Sequence, residues 1–478
     1  MRYTSTRDTN QAADCWTAIL NGIAEDGGLY VPLSFPHVNI QELPDEYRAL
    51  AARILSLFLT DITEAELYTM LAPYDDLFTV PCRLRHLPDR HLLELWHGPT
   101  AAFKDMALTV FPALLQYARK VRSVPETIVI LTATSGDTGS AALSGLAGIE
   151  GVKILVFYPE GGVSAIQERQ MLQVRGANAR AVAVHGDFDD CQTGVKQLFA
   201  DQTFKDALKH QGYVLSSANS INIGRLLPQI VYYFYVYKQL NTETPLNFVV
   251  PTGNFGNILA GLYAKLMGLP IHKLIAASNE NRAVADFLQT GRYDRRRELQ
   301  LTASPSMDIL VSSNLERFLS LFMPAKEVQT HMTFLTNEGY YEVDPGRFRH
   351  LGVEGGFAKG QEITAGIAHL HGRSHCLQDP HTAVANRVYD KYRAETGDDT
   401  PAVIVSTASP YKFPETMAKT LGLTPGRPVF ETVRSLEAFT GTEAPPSIRQ
   451  LEHIPMNQRI YADKTSLKQQ VSEFLGVL

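Results

Sequence analysis

A single lysine in an apolar setting is the first residue of this chain that could do covalent chemistry. Lys104 lies in LELWHGPTAAFKDMAL, between Phe103 and Asp105 and shortly after a Gly-Pro-Thr turn. A solvated lysine needs no such setting, and a buried one costs free energy unless it is paired or chemically used. Desolvation also lowers the pKa of a lysine amine, which makes the amine a nucleophile and a base. The alternative is a surface lysine paired with Asp105.

Two loops that contain glycine could hold anions. TSGDTG (134–139) and PTGNFGN (251–257) each follow a β-branched run and precede a helical segment. Glycine lets the backbone approach a ligand, and the free amides at a helix start favour a phosphate or a carboxylate. Each loop alone is a weak signal, but the pair suggests two anionic groups held at one edge of a sheet.

Three other kinds of site lose support. Neither loop is G-x-G-x-x-G and no P-loop motif occurs, which argues against a nucleotide. Ser135 lies in T-S-G-D rather than in the G-x-S-x-G turn of hydrolases. In HGRSHCLQDPH, His371 and His375 would share a helical face only if a helix continued through Gly372 and Ser374, which we do not expect, so we predict no metal site. A cofactor with its own phosphate and a lysine-reactive aldehyde remains.

Composition describes a folded protein without an obvious macromolecular partner. The 478 residues are 45% hydrophobic and 20% charged, and their number predicts two or three domains. A net charge of -6 gives no reason to expect nucleic acid. The four cysteines are far apart without a C-x-x-C pair, which favours reduced thiols. We see no signal peptide and no apolar run near the ~18 residues of a membrane span, so we expect a cytoplasmic protein with no membrane contact.

The order of the elements predicts an α/β fold. Residues 1–88 read as mainly helical and show no evident chemistry. From residue 89, β-branched runs, glycine-rich turns and helical segments alternate, which is typical of mostly parallel sheets with helices on both faces. We predict a catalytic α/β region at 89–430, in two subdomains with the active site between them, and a C-terminal extension at 431–478 that packs on it. SANSINIGRLLPQIVYYFYVYKQL predicts a helix from about Ile223 with its aromatic residues in the core.

The motifs together resemble one enzyme family. HGPTAAFKD is similar to the pyridoxal-phosphate lysine motif of threonine synthases. Further similar motifs, in the order and spacing of the long bacterial and fungal branch, are YTSTRDTN, EDGGLYVP, LTATSGDTGSAA, SSANSINIGRLLPQIVYYF, VPTGNFGNILAG, SPSMDILVSSNLER, DPHTAVA and STASPYKF. The resemblance covers nearly the whole chain. It implies the fold type II architecture of the tryptophan synthase beta-like family: two open, mostly parallel twisted sheets with flanking helices, plus an N-terminal helical domain.

The resemblance also implies roles for individual residues, with Lys104 as the residue that forms a Schiff base with pyridoxal phosphate. The other residues expected at the cofactor are Phe103, Asp137, Gly253, Asn254, Phe255, Gly256, Asn257 and Thr407. Those expected at the substrate carboxylate are Ser135, Gly136, Thr138 and Gly139. Those expected at a substrate phosphate are Asn219, Asn222 and Arg225, for which a structural role is an equal alternative.

Asp137 is a departure from relatives that place an asparagine near the 3'-oxygen of the cofactor. A carboxylate beside a phenolate is repulsive, so either the protons are distributed differently or Asp137 points elsewhere.

The reaction implied by the resemblance is the conversion of O-phospho-L-homoserine and water to L-threonine and phosphate. The resemblance therefore predicts a pyridoxal-phosphate-dependent carbon–oxygen lyase that acts on a small-molecule substrate, and we expect a monomer or homodimer. Two alternatives stay open. One is a phospho-lyase that releases phosphate, ammonia and a keto acid from a phosphorylated hydroxyamino acid. The other is a non-catalytic protein that binds a phosphorylated metabolite.

Overall fold

The computed structural model describes residues 1–477, which form an α/β fold. The strands are β1 (Arg2–Ser5), β2 (Ala13–Asp14), β3 (Tyr30–Pro32), β4 (Arg83–His86), β5 (His91–Glu94), β6 (Thr127–Ala133), β7 (Val152–Pro159), β8 (Ala179–His185), β9 (Tyr213–Ser216), β10 (Leu246–Pro251), β11 (Ile271–Ser278), β12 (Arg292–Asp294), β13 (Tyr340–Glu342), β14 (Val353–Phe357), β15 (Ala402–Ser406) and β16 (Tyr461–Asp463).

The α-helices surround these strands. They are α1 (Cys15–Asn21), α2 (Tyr47–Ser56), α3 (Glu64–Met70), α4 (Pro73–Asp76), α5 (Asp105–Leu108), α6 (Phe111–Val121), α7 (Asp137–Leu146), α8 (Ala165–Leu172), α9 (Phe188–Ala200), α10 (Gln202–His210), α11 (Ile223–Leu240), α12 (Gly256–Leu266), α13 (Ala283–Thr290), α14 (Leu315–Leu319), α15 (Ala325–Asn337), α16 (Gly360–Ser374), α17 (Pro380–Thr396), α18 (Pro414–Thr420), α19 (Val429–Thr440), α20 (Pro446–Arg449) and α21 (Leu467–Leu475).

Two large sheets form the centre of the molecule, as the sequence predicts. One has five strands in the order β16-β8-β7-β6-β9, all parallel. The other has six strands in the order β14-β11-β10-β15-β5-β4, parallel except for β4, which pairs antiparallel with β5 at the edge. Central strands such as β6 and β10 are almost continuously buried. This explains their mainly apolar sequences, because helices cover both faces of a parallel sheet.

The strand order decides where the site can form. In the six-stranded sheet, β10, β15 and β5 are neighbours and run parallel. Their carboxyl ends lead into PTGNFGN, into Thr407 and into the turn before Lys104. The TSGDTG loop leaves the carboxyl end of β6 in the other sheet. Ligands of open α/β sheets bind beyond these ends.

The first 88 residues are less purely helical than their sequence indicates. They contain α1 to α4, but also a three-stranded antiparallel sheet in the order β2-β1-β3, and β4 joins the edge of the six-stranded sheet. These strands have only two to four residues. Alternation of apolar and polar residues cannot be recognised over so short a length.

The aromatic helix lies where the sequence predicts it. α11 begins at Ile223 and its Tyr232, Tyr233 and Phe234 are fully buried. Core packing is not their whole role, because the hydroxyls of Tyr232 and Tyr233 donate to Asn257 Oδ1 at 2.7 and 2.8 Å. The helix therefore orients a residue of the second loop.

One local prediction was wrong. The helix α16 does continue through Gly372 to Ser374 and ends at His375, whose φ is 49°. A glycine in a helix interior is less favourable than alanine by only about 1 kcal/mol, and tertiary packing offsets this cost. Among residues 1–477, no group of three or more His, Cys, Asp or Glu side chains is placed to hold a metal ion. No helix in this range is long and apolar enough to cross a membrane.

Candidate active site

The segment that carries Lys104 is fixed to the sheet by its backbone. Phe103 N donates to Thr407 O at 2.8 Å, and Ser409 N donates to Ala101 O at 3.0 Å. Thr100 donates its N–H and its hydroxyl to the Asp105 carboxylate, at 2.8 and 2.6 Å. Asp105 is therefore buried and engaged by the turn, and it is not the surface partner of Lys104.

Lys104 itself is half-buried at the start of α5, with its Nζ 4.3 Å from the centroid of the Phe103 ring. Burial and the nearby Arg225 guanidinium lower the pKa of Lys104 to about 8, against the opposing charge of Asp137. A substantial fraction of the amine is therefore uncharged near neutral pH, as a lysine nucleophile requires.

Two cavities meet at Lys104. The larger one has a volume of about 850 Å³ and extends outward between residues 21–27, α9 and α10. The smaller one lies against PTGNFGN and Thr407. Four residues line both cavities: Lys104, Ser220, Asn254 and Ser306. A group in the smaller cavity and a molecule in the larger one would thus both reach the lysine amine.

PTGNFGN presents the start of α12 to the smaller cavity. Phe255 adopts the left-handed conformation with φ of 63°, which is uncommon outside glycine and clusters at functional sites. Within residues 1–477 no side chain caps this helix, so its first amides are open to an anion. Gly253 lines the same cavity and also packs against a neighbouring loop. A Cβ there would lie 2.7 Å from Ser306 O, so glycine permits two loops to pack together.

Two buried donors at the smaller cavity lack a partner among the described residues. They are Arg225 Nε and Asn257 Nδ2. The Asn257 oxygen is held by two tyrosine hydroxyls, which leaves its amide group free to donate. Burial lowers the pKa of Arg225 to about 10, so the guanidinium still carries its charge at neutral pH. Unpaired buried donors are rare, and together with a cation they indicate an anion site.

The first loop contributes fewer groups than predicted. Ser135 and Thr138 line the larger cavity. Gly136 and Gly139 instead donate their N–H groups to Thr134 Oγ1, at 3.0 and 2.8 Å. Their amides are used inside the loop, which favours Ser135 and Thr138 over the two glycines as carboxylate ligands.

The two asparagines before α11 have different positions. Asn219 lines the larger cavity. Asn222 is completely buried, and its amide donates to Ile19 O and Ser217 O while its oxygen accepts from Gly224 N at 2.9 Å. This placement favours a helix-capping role for Asn222 over phosphate binding.

Asp137 points into the smaller cavity and has a counter-ion. Its Oδ1 lies 2.9 Å from the Nζ of Lys412, which is fully buried, and accepts from Gln167 Nε2 at 2.9 Å. Although burial opposes it, the charges of Lys412 and His381 lower the pKa of Asp137 to about 2. The carboxylate is therefore charged, and its negative charge is balanced within the protein.

Comparison with known proteins identifies the family. Residues 91–408 match the model of pyridoxal-phosphate dependent enzymes, 2–73 that of the threonine synthase N terminus, and 382–471 that of the threonine synthase C-terminal region. Threonine synthase of Corynebacterium glutamicum is 37% identical over 455 residues, with 90% of this chain and 92% of that protein covered. The chain belongs to the threonine synthase family of pyridoxal-phosphate-dependent enzymes. The resemblance seen in the motifs is confirmed.

Two further similarities define the extent of the match. The crystal structure of pyridoxal-phosphate-bound threonine synthase from Brucella melitensis has a TM-score of 0.86 at 33% identity and covers 99% of this chain and 98% of that one. The human protein named threonine synthase-like 1 is 40% identical over 428 residues, covering 83% of this chain. The chain spans only 56% of the length of that human relative.

The cavity residues fit the cofactor of the threonine synthase family. An aldehyde needs an uncharged amine, which Lys104 supplies, and a phosphate needs the unpaired buried donors beside α12. Thr407 lines the same cavity. Sequence reasoning missed several lining residues, namely Thr134, Ser306 and His381, and also Lys412 beneath the site. All four lie in the motifs quoted above, but a motif does not reveal which of its side chains face a cavity.

The rate at which the apoprotein takes up pyridoxal phosphate should rise with pH through a midpoint near 8. Only the uncharged Lys104 amine attacks the aldehyde, and the lowered pKa leaves half of it uncharged at that pH. Stopped-flow absorption across a pH series measures this rate. A midpoint near the ordinary lysine value of about 10.4 would contradict the desolvated setting. The exposed Lys419, replaced by methionine, is a control that should keep the native midpoint.

Proposed function

We propose that this chain converts O-phospho-L-homoserine and water to L-threonine and phosphate. The observation that carries the proposal is Lys104, an amine of lowered pKa at the junction of two cavities with cationic and unpaired donor groups beside it. Such a substrate has a phosphate of its own, so two anion subsites close to one lysine suit it.

The smaller cavity would hold the cofactor. Its residues in this role are Phe103, Lys104, Asp137, Gly253, Asn254, Phe255, Gly256, Asn257 and Thr407. The α12 amides and Asn257 Nδ2 would donate to the cofactor phosphate, and the Thr407 hydroxyl would face the ring nitrogen. When bound, pyridoxal phosphate supplies a ring that withdraws negative charge from the Cα carbon of the substrate.

The larger cavity would hold the substrate. From the larger cavity, Ser135 and Thr138 would donate to its carboxylate and Asn219 to its phosphate. Arg225 would reach the same phosphate from the wall of the smaller cavity, beside the junction of the two cavities at Lys104. Arg225 lies in the wall of the smaller cavity and affects the pKa of Lys104, so a phosphate bound there would be close to the reacting amine. A guanidinium is well suited to a leaving phosphate, because it neutralises charge as the bond to carbon breaks.

Lys104 would move the protons. The free Lys104 amine would remove the Cα proton of the substrate and would return protons to neighbouring carbons. Loss of a Cβ proton allows the γ-phosphate to leave, and water then adds at Cβ. One amine with a pKa of about 8 can serve both as acceptor and as donor near neutral pH.

Product identification tests the proposal. With O-phospho-L-homoserine as the only substrate, we expect phosphate and threonine in equal amounts. Release of phosphate with ammonia and a keto acid would instead support a phospho-lyase. Binding without phosphate release would favour a protein that only captures the metabolite.

The proposal extends to the organisation of the protein. We propose an N-terminal domain at 1–88, a catalytic region at 89–430 and a C-terminal extension at 431–478. We also propose that the protein acts on a small-molecule substrate in the cytoplasm. We expect it to be a monomer or homodimer with no nucleic-acid or membrane partner. Sedimentation of the purified protein, together with cell fractionation, tests the assembly and the location.

A further inference from the structure

Lys412 is a buried cation that the proposed reaction does not use. It lies in a short 3₁₀ helix, Pro410–Lys412, five residues after Thr407, and its side chain is fully buried. An ammonium group has three N–H donors. Here the Nζ has three acceptors on three different segments: Asp137 Oδ1 at 2.9 Å, Thr100 O at 2.7 Å and Gln170 Oε1 at 3.0 Å. All of its donors are used, so its position is fixed.

Two partners of Lys412, Thr100 and Asp137, connect it to the active site. Thr100 lies in the turn that leads to Lys104 and also binds Asp105. Asp137 begins α7 and lines the cavity beside Lys104. Its Oδ1 is taken by Lys412 and Gln167, whereas its Oδ2 has a long contact of 3.4 Å with Ser306 Oγ. The two oxygens are therefore unequal, and Oδ2 is the one left for a ligand in the cavity.

We infer that Lys412 is a positioning residue that holds the Asp137 carboxylate, in its charged form, at the wall of the cavity that receives the cofactor. This inference deepens the proposed function. It rests on that function in one respect, namely that the cofactor occupies this cavity. A carboxylate at position 137 is expected to repel the phenolate oxygen of the cofactor. The ion pair between Asp137 and Lys412 removes this difficulty, because the buried ammonium group balances the carboxylate charge.

Removal of the cation changes the protonation of Asp137. A carboxyl that stays buried without its counter-ion has a raised pKa, by up to 3–5 units for a fully buried group. Other charged or titratable groups near the pair lie on separate elements, and they are Lys104 and Asp105 at α5, Arg225 on α11 and His381 on α17. None of these replaces the contact at 2.9 Å that Lys412 makes.

The test is a pH titration of the absorption band of pyridoxal phosphate bound to the protein. For Lys412→Met, we expect a new transition at roughly pH 5 to 9, where Asp137 loses its proton. Native protein and the matched control Lys419→Met, an exposed lysine on the next helix, should lack it. Lys412→Met combined with Asp137→Asn should also lack it, because no carboxyl remains to titrate.

The outcomes are decisive in each case. A native-like titration of Lys412→Met, or a transition that persists in the double variant, overturns the inference. Lys412→Gln, which can still donate to Thr100, replaces Lys412→Met if that variant does not fold. If neither folds, Lys412→Met combined with Asp137→Asn is compared with Asp137→Asn alone. Equal bands support a role of Lys412 that acts through the Asp137 carboxylate, and a further shift in the double variant overturns it. These spectra need no substrate, so failure to form threonine would leave them interpretable.

Discussion

Lys104→Ala should abolish threonine formation and covalent attachment of pyridoxal phosphate. The variant lacks the amine that links to the aldehyde and the base that moves the Cα proton. General base catalysis alone contributes about 10²–10⁴-fold, so we expect a fall in kcat/KM of more than about 10⁴-fold. Absorption spectra, together with steady-state rates on O-phospho-L-homoserine, measure both effects.

Borohydride reduction identifies the attachment site independently of activity. In native protein, mass spectrometry of proteolytic peptides should find the reduced cofactor on the peptide that contains Lys104. The variants Lys419→Ala and Lys120→Ala, which change exposed lysines, should keep the label and the rate. A cofactor attached to any lysine other than Lys104 would contradict the proposed site.

Arg225→Met should lower the affinity and the kcat/KM for phosphorylated substrates far more than the affinity for unphosphorylated amino acids. Hydrogen bonds to charged groups contribute about 1.5–3 kcal/mol, which corresponds to a loss of roughly 10- to 150-fold in kcat/KM for O-phospho-L-homoserine. Arg225 is buried, and among the described residues its Nε is unpaired and its Nη1 donates only to Ala218 O. The folded protein should tolerate the change, because relief of a desolvated charge offsets the loss of that hydrogen bond.

A comparison of ligands separates this role from a structural one. Kinetics with O-phospho-L-homoserine, inhibition by inorganic phosphate, and spectral titration with an unphosphorylated amino acid are measured on the same variant. If O-phospho-L-homoserine, inorganic phosphate and the unphosphorylated amino acid all lose affinity equally, Arg225 supports the fold of the site instead of binding phosphate. Denaturant unfolding of the apoprotein checks that stability is retained, and Arg225→Lys tests whether a point charge alone restores part of the rate.

Sequence patterns predict the local elements well in the catalytic region. β6, β10 and β15 are buried in parallel sheets, so their apolar runs are long and unambiguous. The start of α11 at Ile223 was also predicted, because a long apolar and aromatic segment begins there. The short strands near the N-terminus were not predicted, because pairs and triplets of residues carry too little pattern.

The roles of neighbouring residues within a motif depend on side-chain direction, which the sequence does not state. Gly136 and Gly139 lie in the predicted anion loop, yet Thr134 takes their amides. Residues 21–27 contain no predicted site residue, yet they form one wall of the larger cavity because α1 packs against the catalytic region. Contacts between residues distant in the chain decide both outcomes.

By itself, the sequence determined the family, the lysine at position 104 and the two loops, because these depend on residue type and short-range spacing. Only the tertiary structure decided that Asp137 is paired with Lys412, 275 positions further on, and that Asn222 caps a helix. The physical reason is burial: once water is excluded, each polar group must find a partner inside the fold, and that partner is set by strand order rather than by the adjacent residues.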